Sequence, residues 1–330
     1  MNKRLALLLV LTLIVSMVAV ACGPKEAPGV VRIKIAYPSV PDFGDLPSMM
    51  VYDRLVEKGY AVLPTHFAQS ELAVEAVSRG DADIGTGATR TEMAAMQKGA
   101  PLKFIVDQVA NEWSIYAISA IKECKDLDGM RLAIHSEGAV STAMTNAWID
   151  TTCPGISPNY LIIPGSENRA AALLAGEIDA TPAELADAVR IDKERPGEFN
   201  LIANFGRDLP NLKVTSFYAN TTFLEEQPQA VKDFIEALLE VHREIAANPD
   251  ILVEEAPKYL PGIEEEVLPD IVKAHVELGA FDVNGALTPE NMAYSLDFFV
   301  QAGSVEPGLD PADIHDLSFL NDVLEKIGRK

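Results

Sequence analysis

The chain has 330 residues, 48% of them hydrophobic, with 27 Lys and Arg against 49 Asp and Glu and a formal charge of −22. That length and apolar content predict two buried cores and exclude a disordered chain. The acid excess leaves too few cations to build the basic face that nucleic acid needs, and it serves to keep an abundant protein in solution.

The first segment, 1–21, reads as an export signal: Lys3 and Arg4 precede a mainly apolar stretch from Leu5 to Ala21. Ala19-Val20-Ala21-Cys22 is similar to a bacterial lipoprotein cleavage box, in which the cysteine becomes the lipidated first residue and anchors the protein to the outer face of the cell membrane or in the periplasm. Ordinary cleavage and an uncleaved anchor are the alternatives, the second weakened because 17 residues are short for a bilayer span. Loss of 1–21 takes the charge to −24, with 25 basic against 49 acidic residues. Residues 22–29, with Pro24 and Pro28, read as a tether.

From Val30 the pattern alternates between strands and helices: strand Val31 to Tyr37, helix Leu46 to Lys58, strand Ala61 to Phe67, then a helix from Ser70. A short strand Asp83 to Thr86, a helix Glu92 to Lys98 and a strand Leu102 to Val109 complete a parallel α/β unit. Trp113 to Ile121 reads as a strand, and Lys122 to Gly129 as a turn before a second series: strand Leu132 to His135, helix Ala139 to Thr151, strand Tyr160 to Ile163, helix from Ser166, strand Asp179 to Thr181. Lys213 to Asn220 has strand character, and long helices follow. In Pro228 to Ala247, Val231, Phe234, Ile235, Leu238, Val241, His242 and Ile245 share one apolar face, which makes His242 a core residue. Thr288 and Pro289 read as cap and first turn of another helix.

One pattern occurs twice. Ser70, Glu71, Ala76, Gly80 and Asp83 recur in register as Ser166, Glu167, Ala172, Gly176 and Asp179: a capping serine, an acidic first turn, a glycine stop and a strand. The repeat predicts two similar lobes facing one another. The chain enters the second near 119 and leaves it near 213, so lobe 1 comprises 30–118 and 213–330 with the carboxyl-terminal helices covering it, lobe 2 comprises 119–212, and the crossings form a hinge. The fold class is α/β, each lobe a mainly parallel sheet flanked by helices. Cys124 and Cys153 fall at one end of lobe 2, either as a disulfide worth roughly 3 kcal/mol or as two buried thiols.

Small ligands bind at the carboxyl ends of parallel strands. The candidates on the first lobe are Ser39, Phe43, Gln69, Ser70, Thr86, Gly87 and Arg90. On the second they are Ser136, Gly138, Ser141, Thr142, Ser166, Asn168, Pro182 and Glu184, with Trp113 near the first crossing as a stacking platform. The small residues from Ser136 to Thr142 precede a helix and offer free N–H groups to an anionic or strongly polar group, although ordinary capping accounts for them as well. Arg90 suits a carboxylate, sulfonate or phosphate, whereas Glu184 favours a cation or N–H donor, so the ligand's charge stays open. The five histidines lack metal-ligand spacing, and no nucleophile elbow, phosphate loop or dinucleotide fingerprint is present, so neither a metal, a cofactor nor catalysis is expected.

With these residues in place, the chain resembles the substrate-binding proteins of ABC importers in the family of nitrate, sulfonate, taurine and thiamine-pyrimidine binders. The resemblance rests on Gly80-Asp81-Ala82-Asp83-Ile84-Gly85, Gly99-Ala100-Pro101-Leu102, Asp126 through Ala133, Gly176-Glu177-Ile178-Asp179-Ala180 and Phe223 through Pro228. It implies a periplasmic-binding-protein-like, type II fold, a monomer that closes on a small polar organic or anionic solute, and delivery to permease and ATPase subunits. It also implies that Ser39, Ser70, Gly87, Arg90, Trp113, Ser136, Ser141 and Glu184 line the cleft. Arg90 departs from relatives that carry an uncharged residue there. A sensor docking on a membrane receptor, and a pyrimidine-forming enzyme on the same fold with a cysteine-rich iron motif absent here, remain the alternatives.

Overall fold

The computed structural model describes residues 29–330, and Arg32–Lys330 form one compact unit. The export signal, Cys22 and nearly all of the tether lie outside the described residues. Among the described residues, no helix is long and apolar enough to cross a membrane.

The body is an α/β fold of two lobes, each built on a mixed five-stranded sheet. The first sheet takes β1 (Arg32–Tyr37), β2 (Ala61–His66), β3 (Ile84–Gly85), β4 (Leu102–Val109) and, from far along the chain, β10 (Thr215–Asn220), in the order β2-β1-β3-β10-β4. The second takes β5 (Ser114–Ile118), β6 (Arg131–Ile134), β7 (Asn159–Ile162), β8 (Ala180–Ala183) and β9 (Phe199–Asn204), in the order β7-β6-β8-β5-β9. Ser114–Ile118, expected in the first lobe, therefore belongs to the second sheet, because an alternating segment does not reveal which sheet it joins.

Each sheet contains one strand running against the others, β10 in the first and β5 in the second. Both follow directly on a crossing between lobes. A chain that leaves one sheet at the carboxyl ends of its strands enters the other sheet at the same edge, so the first strand laid down there runs away from the cleft, antiparallel to its neighbours.

The helices of the first lobe are α1 (Leu46–Glu57), α2 (Ser70–Ser78) and α3 (Thr89–Gln97); those of the second are α4 (Val140–Thr152), α5 (Ser166–Leu174) and α6 (Leu185–Glu194). They cover both faces of each sheet. In the second lobe Tyr116 and Ala133 point into one apolar cluster with Leu173 and Ile191, while their neighbours Ala117 and Leu132 point into another with Leu127 and Ile149. Cys124 and Cys153 meet in the latter cluster as a disulfide, with Cα atoms 5.9 Å apart.

The repeated segments fold alike. Both helices have nine residues, and the glycines that follow, Gly80 and Gly176, adopt φ of +78° and +73°, which side chains with a Cβ rarely tolerate. The repeated aspartates then clamp β1 and β6, the first parallel strand of each sheet: Asp83 Oδ2 accepts the Lys34 N–H and Asp179 Oδ2 the Arg131 N–H, each at 2.8 Å. Ser70 and Ser166 are not caps, however. They are the first helical residues, preceded by Gln69 and Gly165 in the cap position with no side-chain cap bond.

The remaining helices are α7 (Phe205–Asp208), α8 (Thr221–Glu226), α9 (Pro228–Ala247), α10 (Asp250–Tyr259), α11 (Leu268–Leu278), α12 (Pro289–Gln301) and α13 (Ser318–Ile327). The expected apolar face of α9 is buried, including His242, whose Nδ1 lies 2.9 Å from the Asp282 carbonyl oxygen. Thr288 caps α12 in a reciprocal capping box. These helices cover the first lobe through α1 and α9, where Arg54 pairs with Glu244 at 2.5 Å. They also reach the second: Lys193 of α6 pairs with Asp270 of α11 at 2.7 Å.

Candidate functional site

The carboxyl ends of both sheets open on one cleft with about 80 Å³ of free volume. Ser39 follows β1, Thr86 and Gly87 follow β3, and Gln108, Val109 and Glu112 lie at the end of β4. Opposite them stand His135 after β6 and Glu184 after β8. The amino termini of α2, α3, α4 and α5 also open here, through Ser70, Ala88, Ala139 to Ser141, and Gly165 with Ser166. None of these four helices has a side-chain cap bond; the first N–H of α3, that of Thr89, is spent on the Val214 carbonyl at 3.1 Å, which leaves the starts of α2, α4 and α5 to offer theirs.

Of the residues expected in the cleft, Ser39, Ser70, Thr86, Gly87, Trp113, Ser141 and Glu184 line it, as does Ser166 of the repeat. The others lie elsewhere. Phe43 is buried against His275, ring centroids 4.7 Å apart. Gln69 precedes α2 without lining the cavity, and Thr142 turns its hydroxyl back to the Ser136 carbonyl at 2.7 Å. Asn168 is exposed and donates to Pro164 O, while Pro182 accepts from Arg169.

Arg90, Ser136 and Gly138 meet at a lobe-to-lobe contact beside the cleft. Arg90 Nη1 and Thr91 Oγ1 both donate to Gly138 O, at 3.0 and 2.7 Å, and Ser136 Oγ lies 3.5 Å from Glu71 Oε1. Arg90 is thus an anchor between lobes, reaching a carbonyl instead of a ligand carboxylate. The long side chain reaches the nearest bare backbone oxygen with one donor, while its buried Nε has no partner.

The cleft wall carries four carboxyls, of Asp42, Asp45, Glu112 and Glu184, and no lysine or arginine. Burial, then Asp42, raises the Asp45 carboxyl well above the usual carboxylate range, and the same two causes act on Glu184. Asp187 is also raised by burial, opposed by Arg190 at 3.0 Å. Glu112 is paired with His275, whose Nε2 lies 3.0 Å from Oε2. Arg169 lies fully buried behind the wall. Its guanidinium donates to the carbonyls of Ile163, Gly165 and Pro182 and to Thr181, with its carbon 5.9 Å from the centre of the Trp113 ring.

Three buried atoms in the wall have no hydrogen-bond partner: Thr86 Oγ1, Gln108 Oε1 and His135 Nε2. Such atoms are rare in folded interiors and point to something that completes them. Gln108 spends its amide N–H on Asp45 Oδ1 at 2.5 Å, which leaves its oxygen as an acceptor. His135 Nδ1 accepts the Gly165 N–H at 3.1 Å, so in the neutral ring Nε2 carries the proton as a donor. Burial, then Arg169, brings the His135 pKa down to about 4, which keeps that ring neutral.

The two crossings are sewn together at the back. Asn111 in the first donates to Phe205 O and Leu209 O in the second, at 3.2 and 3.4 Å, and Phe205 N–H donates to Trp113 O at 2.9 Å. A Cβ on Gly206 would press into Asn111 O, so glycine lets the strands of the hinge touch.

Asp42, Asp45, Gln108, Glu112, His135 and Gly165 were not singled out by the sequence reading. Asp42 and Asp45 form a reciprocal capping box on a short 3-10 turn, a spacing visible in the sequence. Gln108 and Glu112 gain their meaning only when the end of β4 meets the second lobe.

A family model described as NMT1/THI5 like matches residues 59–251. No curated protein sequence matches significantly. Among solved structures, the ligand-binding component of an ABC-type import system from Staphylococcus aureus with zinc bound superposes with a TM-score of 0.72 at 13% identity, over 89% of this chain and 99% of that one. The nitrate-binding protein NrtA from Synechocystis PCC 6803 gives 0.71 at 11% identity, over 92% and 90%. The alkanesulfonate-binding protein SsuA from Xanthomonas axonopodis pv. citri bound to MOPS gives 0.69 at 16%, over 88% and 100%. At these identities the likeness is one of fold.

Proposed function

The chain belongs to the NMT1/THI5-like family, and from that premise we propose that it is an extracytoplasmic solute-binding protein that closes its two lobes on a small polar molecule and delivers it to an ABC importer. The observation that carries this reading is the set of partnerless buried polar atoms, Thr86 Oγ1 and Gln108 Oε1 from one lobe and His135 Nε2 from the other, in a single cavity. A molecule that completes atoms from both lobes binds the closed arrangement better than the open one, which is the differential affinity that closure requires. The hinge at Asn111 and Gly206 supplies the pivot, and the Thr91 and Arg90 bonds to Gly138 form only when the lobes meet. Solute-binding relatives support the importer role, with permease and ATPase subunits as partners and Cys22 as lipid anchor.

A thermal-shift panel of sulfonates, carboxylates, nitrate, pyrimidines and amines, combined with small-angle scattering, tests the reading. A ligand at 100 times its Kd adds about 2.7 kcal/mol, and scattering contracts on binding. A panel that raises no midpoint and leaves the scattering unchanged counts against a binding role. Stimulation of ATP hydrolysis by the cognate permease complex tests delivery, and a mass matching intact Met1 to Ala21 in membrane-extracted protein would rule out the lipid anchor.

A further inference from the structure

The four carboxyls of the cleft wall come from three separate segments, Asp42 and Asp45 from the turn after β1, Glu112 from the first crossing and Glu184 from the start of α6. The nearest arginines are already engaged, Arg169 on backbone carbonyls and Arg190 on Asp187, and the His275 ring is hydrogen-bonded to Glu112. Beside these carboxyls, Gln108, only 3% exposed, lines the same cavity and keeps one partnerless atom, an acceptor. A wall of acceptors calls for a donor of positive charge.

We propose that the ligand carries a cationic N–H donor group, an ammonium, amidinium or guanidinium, that seats on Asp42, Asp45, Glu112 and Glu184. This deepens the solute-binding reading and rests on it. Gln108 Oε1 accepts one of the ligand's N–H groups, and His135 Nε2–H and the free starts of α2, α4 and α5 select an acceptor atom elsewhere on the same molecule. A free volume of about 80 Å³, against about 10–15 Å³ for one water, admits a head group of a few heavy atoms. Asp42 and Glu184 also wall a second chamber of about 310 Å³, lined by Phe43, Leu260 and Ile263, which offers room for an apolar remainder. A metal ion fits less well: among the described residues no group of three His, Cys, Asp or Glu is placed to hold one.

Burial, then Asp42, keeps Asp45 and Glu184 protonated into a higher pH range than exposed carboxyls, so a cation must displace protons to pair with them. Asp187 and Glu167 beside them add like charge, while Arg169 and Arg190 oppose it. Binding therefore strengthens as pH rises and releases protons.

Two isosteric trios test the proposal on the full protein by calorimetry and thermal shift: acetamidine, acetamide and acetate, and benzamidine, benzamide and benzoate. At least one amidine is expected to bind 10-fold or more tighter than its neutral and anionic partners, more tightly at pH 8 than at pH 5, with proton release in buffers of different ionisation enthalpy. Glu184→Gln is expected to raise the midpoint of the ligand-free protein while weakening amidine binding at least 10-fold; a merely structural glutamate would lower both. If the amide or carboxylate of a trio binds as well as its amidine, or neither amidine binds, the cation proposal falls. Contraction of the lobes on any compound in the wider panel would still uphold the solute-binding reading.

Discussion

Replacing Lys213 by Met should cost the protein about 3–5 kcal/mol of stability. Lys213 Nζ lies 2.6 Å from Asp107 Oδ2, the two side chains are 10% and 4% exposed, and Ser216 Oγ holds the other carboxylate oxygen at 2.8 Å. Removing the ammonium strands a buried carboxylate, which is the expensive way to break such a pair. At roughly 2 °C per kcal/mol for a body of this size, the midpoint falls by roughly 6–10 °C. Burial already raises the Asp107 pKa, with Lys213 pulling against it. A carboxyl whose folded pKa lies above its unfolded one is penalised at high pH and relieved below it, so the deficit should shrink as the pH falls and Asp107 takes a proton. Urea unfolding at pH 8 and pH 5 measures both effects. The double variant Asp107→Leu/Lys213→Met, which removes both charges, should recover most of the loss. A single-variant deficit below about 1 kcal/mol, or a double variant worse than the single, refutes the reasoning.

Three further outcomes follow from the same geometry. Gly138→Val would drive a side chain into Glu71 and toward Arg90 across the lobe contact, an overpacking of about 1–3 kcal/mol felt only on closure, and should weaken ligand binding roughly 5- to 150-fold; unchanged affinity by calorimetry would place that contact outside the closing motion. Reducing the Cys124–Cys153 disulfide, which spans 29 positions, should lower stability by about 3–4 kcal/mol in non-denaturing reductant, and an unaltered melting curve after complete reduction would contradict it. His135, held near pKa 4 by burial, should show no imidazole titration by NMR from pH 8 down to about 5.5, and its contribution to stability should be lost as pH falls from about 6.5 toward 4; a midpoint above 6 would mean that its ring is not enclosed as described.

Much of the architecture was legible because it is local. The glycine stops at Gly80 and Gly176, the apolar face of α9 and the capping box at Thr288 all lie within a few residues of one another. The serine at each repeated helix was misplaced by one position, since a hydroxyl at the first helical residue looks the same in sequence as one at the cap. The direction and neighbours of β5 and β10 were not legible, because periodicity records which face a residue takes and not which strand lies beside it. The same limit hid the site. Among 49 acidic residues nothing marks Glu112, and the capping-box spacing of Asp42 and Asp45 announces a turn and not a binding wall, until the fold brings the three together. Arg90 drew attention as an isolated charge, yet its partner is a backbone oxygen 48 residues away that no motif announces.

In the first sheet β3 and β4 do not pair with one another: β10 lies between them, with β3 held on its other side by β1 and β4 at the edge. Residues 32–109 therefore make two fragments of a sheet with an empty lane, and the lane is filled by residues that come after the whole second lobe. All strands of the second sheet, by contrast, lie in one uninterrupted stretch from Ser114 to Asn204. Loop closure across that stretch must come before the long-range pairing can contribute, so the order of acquisition runs against the order of the chain. In pulsed hydrogen exchange during refolding, amides of β6 and β8 should gain protection before those of β4. A protein assembled this way holds its first lobe unfinished until its hinge already exists, and the two halves of the cleft are aligned by the strand that completes them.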